Sequence, residues 1–289
     1  MGGSPVGEYL RARRALVSPA DAGIVDHRVR RVAGLRREEV AELAGISPEY
    51  YLRLEQGRDK RPSEQVLDAL ARALRLDAVA RLYLRRLAQN RRRGHAEAAA
   101  PVDELGGLLE LWPHTPAFVV DSNLDVVVAN SLADAVGGGT LSAGANLVTG
   151  LFEPGSREGL PGWEERAQEL VGALRMSGDP DDPRFQQVVG ELAIASADFR
   201  RLWARQDVHL FVDGDCYLPI QPFGVTRFRW RNFAVEGRRD LRLTVLFAPA
   251  GSDAAGALAY ASARRGPGGG PADPRAAQPR ELSTTTVRS

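Results

Sequence analysis

The chain holds one cysteine, Cys216, among 289 residues. A lone thiol closes no intrachain disulfide, so a reducing cytoplasm is the expected setting, and cysteine-based metal sites are excluded for the monomer. Beside Asp215, with no nearby base, it reads as structural rather than reactive. His95, His114 and His209 are scattered, with no second ligand at helical spacing, so no zinc site is expected. No run approaches the roughly 18–20 apolar residues that span a bilayer. An apolar signal core is missing at the N-terminus, where Glu8, Arg11, Arg13 and Arg14 interrupt it. Gly137, Gly138 and Gly139 lack the lysine and the strand-to-helix frame of a nucleotide loop. Asp179, Asp181 and Asp182 lack the spacing and terminal glutamate of a calcium loop, and read as a capping turn before Pro183. No paired carboxylates or nucleophile–base arrangement stands out, so an enzyme is disfavoured and no cofactor is expected.

What is present is an uneven charge. The net charge is +1 overall. Residues 1–100 carry 20 Arg+Lys against 13 Asp+Glu, a net of +7, and the remainder carries 18 against 24, a net of −6. A basic first part joined to an acidic second part points to a polyanionic partner for the first part alone. The length allows two domains. Helical patterns at 7–16, 35–45, 48–57, 63–74 and 77–87 make a compact all-α domain over residues 1–90. Residues 91–101, charged at the start and closed by proline, read as a linker. An α+β domain with a largely antiparallel sheet is expected over 102–263. Its strands are expected at 116–121, 124–129, 208–212, 216–220, 226–235 and 241–247, and its helices at 103–112, 131–136, 163–176, 183–195 and 198–205. Residues 264–289, rich in Gly, Pro, Ala, Ser, Thr and Arg, are expected to be a disordered tail.

The stretch 35–62 pinches two short helical patterns around Gly45. Ser47 is a good N-cap and Pro48 sits at the first helical position, where a missing N–H does no harm. Helix, short turn, helix is the shape that sets a second helix into the major groove of double-stranded DNA. With Tyr51, Leu52 and Leu54 partly inward, the outward candidates are Pro48, Glu49, Tyr50 and Arg53. Arg53 suits a bidentate contact to guanine N7 and O6, Glu49 a cytosine amine, and Tyr50 a thymine methyl or a phosphate. Ser47 opens this helix and belongs to the same face. Arg36 and Arg37 stand at the N-terminus of the preceding helix, and with Arg58, Lys60 and Arg61 they are expected to grip phosphate.

The sequence LRREEVAELAGISPEYYLRLEQGRDKRPS resembles the helix-turn-helix of the lambdoid-repressor or xenobiotic-response-element type. That resemblance implies that Arg37, Pro48, Glu49 and Arg53 face bases and that Lys60 and Arg61 lie on the backbone. It also implies a buried ion pair between Arg14 and Glu55. The likeness extends through YLRARRALVSPADAG, HTPAFVVDSNLDVVVANSLADAV and DPDDPRFQQVVGELAIASADFRRLWARQDV to the MmyB-like regulators. Members of that family carry a PAS-like domain regarded as ligand-binding, with a fatty acid proposed as occupant. The match departs over 213–233, DGDCYLPIQPFGVTRFRWRNF, where the usual basic strand with a histidine-proline turn is replaced.

Phe118, Trp163, Leu170, Leu174, Trp203, Phe228 and Trp230, with Phe199 and Leu202, are the large apolar groups in the elements that would enclose such a cavity. Simple core packing explains the same residues. Arg227, Arg229 and Arg231 alternate with Phe228 and Trp230, giving one basic and one aromatic face; a solvated face competes there with a head-group site. The residues describe a DNA-binding transcriptional regulator, the resemblance implies a small apolar effector such as a fatty acid for its second domain, and a homodimer on a two-fold operator is compatible. The competing class is a regulator whose second domain binds protein, or a second copy, and no ligand.

Overall fold

The structure, a computed structural model, describes residues 4–24, 33–59, 61–89 and 102–265. Five helices form the first domain: α1 Pro5–Leu16, α2 Arg37–Ala44, α3 Pro48–Glu55, α4 Glu64–Ala73 and α5 Ala78–Gln89. Their ends follow from local chemistry. The Ser47 hydroxyl accepts the Tyr50 N–H at 3.1 Å and Asp77 accepts the Ala80 N–H at 2.8 Å, each satisfying a donor the helix leaves open. Gly45, at φ 65°, ends α2 in the left-handed conformation and turns the chain into α3. The apolar faces meet in one core of Tyr9, Leu10, Leu35, Val40, Tyr51, Leu54, Leu70 and Leu84. The α1 and α3 backbones cross so closely at Gly7 that a Cβ there would lie 2.3 Å from the Glu55 carbonyl oxygen. Leu52 is the exception to the expected inward set. It is 36% exposed, because α3 turns only Tyr51, Leu54 and Glu55 inward.

The second domain runs α6 Val102–Glu110, β1 Ala117–Val120, β2 Val126–Ala129, α7 Ser131–Gly137, α8 Leu147–Leu151, α9 Ser156–Gly159, α10 Trp163–Ser177, α11 Pro183–Ala195, α12 Ala197–Ala204, β3 Asp213–Ile220, β4 Gly224–Val235, β5 Arg238–Phe247 and α13 Asp253–Arg265. The strands form one antiparallel sheet in the order β2-β1-β5-β4-β3. On β4 Thr226, Phe228 and Trp230 are buried while Arg227, Arg229 and Arg231 are exposed, as the period of two requires. Those arginines are held across the surface: Arg227 on Asp215 at 2.7 Å, Arg231 on Asp213 at 2.8 Å, and Arg229 over the Phe247 ring. The inner face packs against the helical layer that includes α7, α10, α11, α12 and α13. Ala117, Val119 and Leu241 on the other face lie in a smaller core with Leu109 of α6.

Asn130 caps α7 by accepting the Ala133 N–H, and does more. Its oxygen also accepts the Ala117 N–H, and its amide donates to the carbonyls of Leu109, Trp112 and Thr115. One buried side chain therefore ties α6, β1 and α7 together. Asp182 caps α11 through the Arg184 N–H and accepts the Asn123 amide, so the aspartates near Pro183 do form a capping turn.

Three expectations are corrected. The segment 208–212 forms no strand: only its end touches the sheet, where the Val212 carbonyl accepts the Asn232 N–H of β4, and Val208 packs in the core of the helical domain. Helices α8, α9 and α13 appear where none was expected. Arg264 and Arg265 belong to α13 rather than to a tail. The linker region 91–101, His95 and the rest of the tail lie outside the described residues, as does Lys60.

The two domains touch. Arg86 of α5 donates to the carbonyls of Met176 and Gly178, Arg13 of α1 pairs with Asp207, and Met176 packs against the helical core. Behind this contact Arg175 is buried, stacked 3.8 Å from the Trp203 ring centroid and donating to the carbonyls of Trp203 and Asp207. Burial draws its guanidinium down to about 10.

Candidate nucleic-acid interface and ligand cavity

The outer side of α3 and its C-cap presents Glu49, Leu52, Arg53 and Gln56, all exposed, at the i, i+3, i+4, i+7 spacing of one helical stripe, with exposed Pro48 beside it at the helix start. Arg53 stacks over the Tyr50 ring, 5.4 Å from its centroid, and Tyr50 itself is half-buried against the helical core. Tyr50 is therefore both a support for Arg53 and a partial core residue. Ser47 spends its hydroxyl on the cap. Leu52 and Gln56 were absent from the sequence-based set. Gln56 continues the spacing of Glu49 and Arg53, and that periodicity was the available signal for it.

Arg36 precedes α2, and its backbone N–H donates to Glu39 at 2.6 Å. Arg37 is half-exposed, but its Nε is committed to Glu55 at 2.7 Å. Arg14 reaches the other Glu55 oxygen at 2.8 Å and the Leu35 carbonyl at 2.9 Å, so the ion pair implied by the resemblance is present, with a second arginine added. Burial alone would push the Glu55 carboxyl up; the hydrogen bonds from Arg14 and Arg37 outweigh it and hold the group below the usual carboxylate range. This centre fixes α1, α2 and α3 relative to one another. Arg58 and Arg61 are exposed just beyond α3.

In the second domain a cavity of about 620 Å³ opens between the sheet, α10 and the loops around α8 and α9. Of the residues expected at such a cavity, Phe118, Trp163, Leu170 and Trp230 lie in its wall. Leu174, Trp203 and Phe228 do not, nor do Phe199 and Leu202. Leu174 and Phe228 are fully buried in the core, and Trp203 stacks between Phe199 and Arg175. The missing wall comes from Gly137, Leu141, Leu147, Leu160 and Pro161, from segments whose composition marked them as connections. Trp163 is anchored by donating its Nε1–H to the Leu151 carbonyl at 2.8 Å. Cys216 also borders the cavity, and burial pushes its thiol up to about 11. Burial there favours the neutral thiol over the thiolate. The volume and apolar lining are those of a small-molecule pocket.

Among the described residues no helix is long and apolar enough to cross a membrane. Comparison with known families finds two matches. Residues 5–84 match a helix-turn-helix domain, and residues 102–261 match the MmyB-like transcription regulator ligand binding domain. No curated protein matches the chain.

Proposed function

Because the chain belongs to the MmyB-like transcription regulators, joining a DNA-binding helix-turn-helix domain to a ligand-binding domain, we propose that α3 reads an operator and that the cavity is the effector site. The observation that carries the first half is the exposed stripe on α3, with Arg53 at its centre. Arg53 pairs with guanine, Glu49 accepts from a cytosine amine, and Tyr50 touches a thymine methyl or a phosphate. Pro48 gives an apolar contact or none, and Ser47 holds the helix start. The N-terminus of α2 with Arg36 and Arg37, and the cations Arg58, Lys60 and Arg61 beyond α3, grip phosphate on either side. The effector is small and apolar, of the fatty-acid kind, which the walls of the cavity support.

Site selection from random DNA with the purified chain, repeated with lipid extract, tests both halves. Wild type is expected to enrich one motif, and Arg53→Ala to lose it while keeping its helical signal and melting point. Undiminished enrichment by that variant removes α3's outer stripe as the reader. An enriched pool and affinity indifferent to the extract would argue against the effector.

A further inference from the structure

The face of the sheet turned away from α10 is only half covered. Helix α6 lies across β2 and β1, so close that a Cβ on Gly106 would meet the Val128 side chain at 3.0 Å, and Leu105 and Leu109 close the small core beneath it. Beside the helix, β5 and β4 turn further apolar groups to the same face, because Phe233 pairs with Leu243, Arg231 with Val245 and Arg229 with Phe247. Among the described residues no element closes over this part, and Phe233 is 49% exposed. The helix that forms the step is itself apolar on its far side. Leu108 is 57% exposed, and Leu111, just past the helix end, 71%, on the stripe that also holds Glu104 and Gly107. A Cβ on Gly107 would meet nothing within 4 Å, so packing inside the chain does not account for this helical glycine. The charges are lopsided too. Helix α6 carries Glu104 and Glu110 and no cation, whereas β4 is rimmed by arginines, and among the described residues Arg229 has the Phe247 ring and no carboxylate.

We propose that this face is the contact between two copies of the chain, α6 of each lying on β4 and β5 of the other. A ridge beside a hollow on one face is self-complementary about a two-fold axis, where each ridge fills the other copy's hollow in an isologous contact. A foreign helix would fill the hollow and leave Leu108 and Leu111 in water; a second copy covers both apolar surfaces at once. It also brings the acidic flank of α6 to the arginine rim of β4, so charge fixes the direction in which the surfaces meet. The pairing joins the second domains and holds two helix-turn-helix domains on one particle, which is what an operator of two half-sites requires.

Sedimentation equilibrium of the full chain over a concentration series, without DNA or effector, tests this apart from the operator and effector readings. Wild type is expected to dimerise. Leu111→Lys on the ridge and Phe233→Glu in the hollow each alter an exposed side chain, so both variants are expected to keep the wild-type melting temperature and to raise the dimer Kd at least about tenfold. Mixed together they are expected to associate more tightly than either alone, because the mixed pair has one unaltered ridge-in-hollow contact and sets Lys against Glu in the other. Ile194→Lys, an exposed apolar position on α11, is expected to leave the Kd unchanged. A monomeric wild type overturns the proposal, as does a Leu111→Lys or Phe233→Glu variant that dimerises like wild type. A mixture no tighter than its components overturns the reciprocal arrangement, and an equal loss from Ile194→Lys overturns the choice of face.

Discussion

At Glu55 two arginines from different helices converge on a carboxylate that is 1% exposed. Taking the carboxylate from this centre leaves the largely buried Arg14 guanidinium unmatched, so Glu55→Ala is expected to cost the helical domain about 3 kcal/mol. The same centre sets a pH dependence. The folded carboxyl titrates below its unfolded value, so its stabilisation is complete above the usual carboxylate range and is lost as pH falls through the depressed folded value. Acid denaturation of wild type should therefore show a loss that Glu55→Gln flattens, measured by circular dichroism at stepped pH. Asn130 makes a comparable commitment in the second domain. Its five hydrogen bonds reach α6, β1 and α7, and Asn130→Ala should cost about 2–4 kcal/mol by leaving several buried backbone groups unpaired. A melting temperature within a degree or so of wild type would contradict that.

Elements with a periodic face and a cap were legible from sequence; elements defined by what they pack against were not. Ser47-Pro48 and Gly45 announced α3 because a cap, a first-turn proline and a left-handed glycine each satisfy a local need. Leu52 was misplaced because its neighbours are apolar and the helix is only eight residues long, too short for its stripe to be unambiguous. The alternation at 208–212 looked like a strand, yet Val208 finds its burial in the other domain, which local pattern does not record. Cavity residues divided in the same way. Phe118, Leu170 and Trp230 were identified by size, but size could not separate them from Leu174 and Phe228, which fill the core. Gly7 shows what close crossing demands of an element. Gly7→Ala, favourable for helix propensity, is expected to destabilise the domain by about 1–3 kcal/mol, because the added methyl meets the Glu55 carbonyl of α3. Thermal unfolding checks the sign, and a stabilised variant would mean that α1 and α3 part easily.

On the scale of the molecule, the domains are joined by charge as well as by chain. Arg86 donates to two carbonyls at the end of α10, and Arg13 meets Asp207 in the segment that also delivers Val208 into the helical core. The double variant Arg86→Ala, Asp207→Ala should weaken this contact by about 2–4 kcal/mol. In scanning calorimetry the wild type is expected to unfold with the domains coupled, and the variant in two separated transitions. Two transitions already present in wild type would show the contact too weak to couple them.

Helix α10 runs through both ends of this arrangement. Trp163, Arg166 and Leu170 stand in the cavity wall, and Met176 at the other end rests on the domain that carries α3. Fifteen residues make a rod of about 22 Å with no hinge in it. The cavity wall and the inter-domain contact at Arg86 therefore lie on one stiff member, with no break in the helix between them.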